Sequence, residues 1–237
     1  MNARNVLLSL IILIAFYFGT HLSSWFSTTT WPLWVRFCLP YLIWVITIAA
    51  FWPFYKHRLL AIIGLQSSPL EGILWACLFV SPMLLGFALT SEIAGLQPML
   101  LVKKALLPGF FEELMFRGFL VGMLISVANW RFLPAACINA LLFGTGHWFQ
   151  GATATQALMA SLFTAIGGLW FAWLFVAWMR NLWLVAMLHV LMNACWVIWQ
   201  VDNTAIGGQL ANILRMATIF LSIIVTLIYH KKVQQHK

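Results

Sequence analysis

The chain has 237 residues, 63% hydrophobic and only 8% charged, with a formal net charge of +8 and a mean hydropathy of +0.95. So little polar sequence cannot cover the surface of a water-soluble domain of this size. A membrane β-barrel is excluded as well, because the apolar stretches are long runs rather than short alternating segments.

The pattern predicts an all-α, polytopic membrane bundle of about eight spans, one membrane domain over residues 1–237. The first span, 5–26, lies in a start that reads MNARNVLLSLIILIAFYFG. It resembles a signal peptide but lacks a small-x-small cleavage site, so it is read as an uncleaved helix. Spans at 33–55 and 71–90 follow. The fourth, 98–126, is the longest; its opening QPMLLVKKALLPGFFEELMFRG carries charge and proline, so an interfacial or broken start is expected. The remaining spans are 132–148, 155–179, 182–200 and 209–230.

With the N-terminus inside, Arg4, Lys56, Arg58, Arg131, Arg180, Lys231, Lys232 and Lys237 fall on the cytoplasmic side. Glu92 and Asp202 fall in external loops, so both termini are expected inside. Arg36, Lys103, Lys104 and Arg215 lie near outer span ends, where long side chains snorkel. Basic residues placed this way read as topology signals and headgroup contacts, not as a nucleic-acid surface.

Several features have ordinary structural readings. Cys38, Cys77, Cys137 and Cys195 occupy different runs without CxxC spacing and are expected to be small buried hydrophobes. Trp31, Trp34, Trp130, Trp148, Trp183 and Trp199 mark span ends, as interfacial belts do. Gly167 and Gly168 read as a close helix contact. His230 and His236, with Lys231 and Lys232, read as a solvated tail.

FFEELMFRG, residues 110–118, stands apart, since it holds two of the five acidic residues in mid-span. A charge at that depth costs roughly 2.5–3.5 kcal/mol on insertion scales and persists when paired or lining water. Glu113 and Arg117, at i and i+4, are expected to meet on one helix face. Glu112 points about 100° away and needs another partner. A purely structural ion-pair network is the plain alternative, but it leaves Glu112 unexplained.

Two other spans supply candidates. LLFGTGHWFQG places His147 late in the fifth span, and LWLVAMLHVLMNACW places His189 and Asn193 on one face of the seventh. Counted from the cytoplasmic span ends, Glu112 and His147 lie about 21 Å deep, Asn193 about 20 Å and His189 about 13 Å. Three helices thus bring polar groups to one region. A carboxylate beside imidazoles and an amide can activate water and stabilise an oxyanion, which points to amide or ester hydrolysis.

Absences narrow the class. The single Asp, Asp202, rules out an aspartyl dyad; HExxH and GxSG are missing. Cys195 lies six residues from His189 on another helix face, and Cys137 lies about 15 Å along the helix from His147, so a cysteine nucleophile is unsupported.

Glu112-Glu113-x-x-x-Arg117, Phe143-x-x-x-His147 and His189-x-x-x-Asn193 together resemble the three-motif signature of the CPBP family, also called Abi or CAAX-type prenyl endopeptidases. The flanks FFEELMFRGFL and RNLWLVAMLHVLMNA agree, and the resemblance covers a catalytic core of about 98–200. It implies an intramembrane endopeptidase with an eight-helix core. Glu112 and His147 would activate water, His189 and Asn193 would hold the scissile carbonyl and its oxyanion, and Glu113 and Arg117 would position the site.

His147, His189 and Glu112 could also hold zinc with an open fourth position. The expectation adopted is direct activation of water by Glu112 with no cofactor. The implied partners are a membrane-anchored or lipidated protein or peptide and the lipid bilayer, and the implied location is a bacterial cytoplasmic membrane. Roles linked to such relatives are C-terminal sorting-signal processing, peptide maturation and bacteriocin self-immunity. The competing readings are a non-catalytic membrane protein that binds a peptide or confers immunity, and a proton-coupled transporter.

Overall fold

The computed structural model describes residues 2–28, 30–93, 95–202 and 206–235, apart from the side chains at 27, 28, 33, 34 and 232–235. The readings of Trp34 and Lys232 as side chains, and of His236 and Lys237, therefore lie outside the described residues. Among the described residues there are helices and turns and no strand.

Helices α1 (Ala3–Thr28) and α2 (Leu33–Ala49) are followed by two short ones, α3 (Trp52–Tyr55) and α4 (His57–Ile62), and then by α5 (Pro69–Thr90). A continuous helical run then passes through α6 (Pro98–Leu101), π1 (Val102–Leu106), α7 (Leu107–Glu113), π2 (Leu114–Val121) and α8 (Gly122–Ser126). It is followed by α9 (Phe132–Thr145), a 3-10 turn (Trp148–Gln150), α10 (Ala154–Ala177), α11 (Leu182–Ile198) and α12 (Gln209–Gln235).

Five stretches are long and apolar enough to cross a membrane: Ala3–Phe26, Val35–Tyr55, Pro69–Thr90, Ala154–Ala177 and Gln209–Lys231. The other three expected spans are helical but shorter or more charged. α11 has 17 residues and α9 only 14, so they rise about 25 and 21 Å, less than a hydrocarbon core of about 30 Å. The expected break in the fourth run takes the form of two π-helical segments in a chain that stays helical. Pro108, without an N–H, sits in the first turn of α7, and the Leu107 N–H reaches back five residues to the Val102 carbonyl.

This run is the axis of the bundle. Every residue from Glu113 to Leu124 is buried, on all sides of the helix. α1, α2, α9, α10 and α11 pack around it, with α5 behind α11 and α12 against α5. One buried apolar cluster extends through these helices from Ile12 to Ala211. The outer helices keep large apolar side chains on the outside, as suits lipid.

Two caps start their helices at a shared level. Ser68 Oγ accepts from the Glu71 N–H at the start of α5, and Asn181 Oδ1 accepts from the Leu184 N–H at the start of α11. Asn181 Nδ2 also donates to the Ser68 carbonyl at 3.4 Å, tying the two starts together.

Indole N–H groups fasten the helices laterally. Trp44 donates to Ser23 Oγ at 2.8 Å, Trp130 to Ser9 Oγ at 2.7 Å, Trp170 to Ser222 Oγ at 3.0 Å and Trp178 to Thr226 Oγ1 at 2.9 Å. The belt reading holds for exposed Trp31 and Trp148, but Trp130 and Trp183 turn inward to hydrogen-bond partners.

The cysteine expectation is corrected: only Cys195 is buried, while Cys38, Cys77 and Cys137 lie on the outside of the bundle. Lipid tails are as apolar as a core, so an apolar residue has no preference for the inside of a membrane bundle. Of the glycine pair, Gly168 lies 3.3 Å from the Ala140 Cα by its would-be Cβ, a close α9–α10 contact, whereas Gly167 meets nothing within 4 Å.

Candidate active site

The site starts from a buried ion pair. Arg117 Nη1 donates to Glu113 Oε1 at 2.9 Å, and both side chains are fully buried. Opposite charges one helical turn apart can meet in this way, and in a low dielectric neither would persist alone. The guanidinium lies between two aromatic faces, with its Cζ 4.3 Å from the Phe143 ring centre and 5.3 Å from that of Phe171. A planar, weakly hydrated cation suits that slot. Glu113 Oε2 and Arg117 Nε and Nη2 are buried and have no hydrogen-bond partner among the described residues.

The same Glu113 Oε1 also accepts from His189 Nδ1 at 2.8 Å. This contact joins the first motif to the third, across helices. It turns the imidazole so that Nε2 is the nitrogen left for other work. The approach is close because Gly109, one turn before Glu113, lies against α11; a Cβ there would be 2.7 Å from the Val190 backbone nitrogen.

His147 does not end the fifth helix as expected. α9 stops at Thr145, and His147 lies in the turn just beyond. Its Nδ1 donates to the Phe143 carbonyl at 2.7 Å, one of the carbonyls a helix end leaves unmatched. Here too Nε2 is left available. The Phe143 ring stands between the histidines, with centroids 4.7 Å from His147 and 6.4 Å from His189.

Glu112 and Asn193 are half-buried, in contrast to Glu113. Neither side chain makes a hydrogen bond among the described residues. Asn193 lies one turn beyond His189 on α11, and Glu112 precedes Glu113 on α7.

Glu113, Arg117, His147 and His189 thus gather around Phe143, while Glu112 and Asn193 are placed only by their positions on α7 and α11. The zinc alternative turns on whether Glu112, His147 and His189 converge. Nε2 of an oriented histidine can serve as a base or as a metal ligand. Among the described residues, no three His, Cys, Asp or Glu side chains are grouped at metal-ligand spacing.

Three contributors were not legible beforehand: Phe171 and Gly109, and Asn139 of α9. Buried Asn139 donates from Nδ2 to the Gly168 carbonyl at 3.2 Å and fixes α9 against α10. An Asn inside an apolar run was the available signal for the last.

Comparison with known proteins bears on the segment that carries these residues. Residues 94–195 match the family model described as type II CAAX prenyl endopeptidase, Rce1-like. No curated protein and no solved structure matches the chain. The matched segment holds all three motifs and the helices that carry them. Residues 94–195 are therefore similar to the CAAX-type prenyl endopeptidase domain, the same family that the motifs resemble.

Proposed function

We propose that the protein is an intramembrane endopeptidase that hydrolyses a peptide bond of a membrane-anchored or lipidated protein or peptide, using water activated by Glu112 and His147. The observation that carries this reading is the division of labour between the adjacent glutamates. Glu113 is fully buried and shared by Arg117 and His189, while Glu112 beside it is half-buried and outside that network.

Glu112 takes a proton from water, with His147 Nε2 assisting, and the oxygen attacks the carbonyl carbon. The oxyanion accepts hydrogen bonds from His189 Nε2–H and Asn193 Nδ2–H. The tetrahedral intermediate collapses with cleavage of the C–N bond, and the proton held at Glu112 passes to the leaving amine. Water is activated directly, without a metal.

The test is cleavage by purified protein in liposomes, wild type against Glu112→Gln, on a library of anchored and lipidated peptides with mass spectrometry of the products. Cleavage by wild type and none by the variant is the expected result. A Glu112→Gln gene that still complements a deletion would overturn the enzyme reading in favour of a peptide-binding protein.

A further inference from the structure

At the opposite end of the bundle from the catalytic motifs lies a cationic cavity. About 790 Å³ in volume, it is lined by Arg4 of α1, Arg58 of α4 and Arg180 at the α10–α11 turn, with Tyr55 and Ser126 beside them. Ser126 ends the run that carries Glu112, about 21 Å away at 1.5 Å per residue. Three arginines from three separate segments converge here without a carboxylate: none of the three forms an ion pair among the described residues. Arg180 Nη1 donates to Ser126 Oγ, which holds one guanidinium in place. Arg4 and Arg58 are exposed to the cavity side of the bundle, with donors to spare.

The rest of the wall is apolar. Ile62, Ile125, Val127, Val176 and Met179 line it, and Met179 is 78% exposed. The backbone here is constrained. Met179 and Arg180 both have positive φ, 52° and 61°, and the Arg180 carbonyl lies against Gly64, whose own carbonyl accepts from the Leu182 N–H at 3.2 Å. The cavity is therefore built on tightly packed backbone rather than on a loose loop.

We propose that this cavity binds a phosphate-bearing amphiphile, an anionic phospholipid whose phosphate the arginines grip while the apolar wall takes its glycerol and upper acyl chains. Arginine forks match phosphate oxygens two at a time, and basic pockets between membrane helices are suited to phosphate headgroups. A soluble anion would use the arginines but leave the apolar half of the cavity wet. The site is separate from the catalytic motifs and uses none of their residues.

Native mass spectrometry of the full chain, equilibrated in detergent with phosphatidylglycerol, phosphatidylcholine or inorganic phosphate, tests this. Wild type should retain one phosphatidylglycerol. Arg4→Gln with Arg58→Gln should bind it at least about tenfold more weakly, the scale of one lost charge-assisted contact. The control pair Lys103→Gln with Lys104→Gln, on the other side of the membrane-spanning run, should bind as wild type does. Thermal midpoints verify that the variants fold, and Arg4→Gln alone serves if the double variant does not.

Displacement of the lipid by inorganic phosphate at matched concentration would assign the same site to a free phosphate group; failure to displace it assigns the site to the lipid. Equal retention by wild type and the arginine variants, equal loss in the lysine control, or equal retention of phosphatidylcholine would each overturn the proposal.

Discussion

Glu113 and His189 are 76 residues apart in the chain and meet at 2.8 Å, Oε1 to Nδ1. Because the same oxygen also holds Arg117, one atom anchors two of the three motifs. The two neighbouring glutamates should therefore fail differently. Glu113→Gln breaks a buried pair, worth about 3–5 kcal/mol, and should lower the thermal midpoint in detergent by roughly 10 °C. Glu112→Gln should leave the midpoint unchanged while abolishing cleavage. Equal thermal effects of the two would refute the division of roles.

Gly109→Ala tests the contact that permits this meeting. The added Cβ would be 2.7 Å from the Val190 nitrogen and 2.8 Å from its Cα, both backbone atoms that cannot swing aside. α7 and α11 must part by a few tenths of an ångström or more. A cleavage rate about 100-fold lower is expected, with helical content by circular dichroism retained. A variant of wild-type activity would show that the helices tolerate separation.

Arg117→Lys keeps the charge and loses the plane. Lysine cannot fill the slot between Phe143 and Phe171 as guanidinium does. Stability should fall by about 1–2 kcal/mol, read from denaturation in detergent, with partial activity. Arg117→Gln, which leaves Glu113 without its cation, should cost clearly more. If lysine and glutamine prove equally harmful, the ring contacts rather than the charge dominate.

The metal question has a direct measurement. Cleavage should be unaffected by zinc chelators, and elemental analysis of the active protein should find well under one zinc per chain. Stoichiometric zinc that disappears in His147→Ala would overturn direct activation by Glu112.

What could be read from the sequence was set by local rules. The i,i+4 rule alone brings Glu113 to Arg117, and the length of apolar runs alone brings the helical membrane fold. The Glu113–His189 bond obeys no local rule, because it depends on how closely α7 and α11 approach, which no spacing in the sequence reports. The π-helical turns around Glu113 were equally hidden, since a helix buried on every side has no periodicity to measure. The exposed cysteines have the same origin. In lipid, hydrophobicity stops reporting which way a side chain faces, so the reliable inward signals were the rare polar ones, Asn139 among them.

The paired indole bonds of α10 make the last helix a key rather than a mere anchor. Trp170 meets Ser222 and Trp178 meets Thr226, so a rotation of α12 that turns this hydroxyl stripe away would strand both donors in hydrocarbon. Modularity follows from this. A polyleucine replacement of α12 should dock without a preferred register, and restoring two hydroxyls four residues apart should restore it. The helix that lies outside the family-matched segment is thereby indexed to it by two hydrogen bonds.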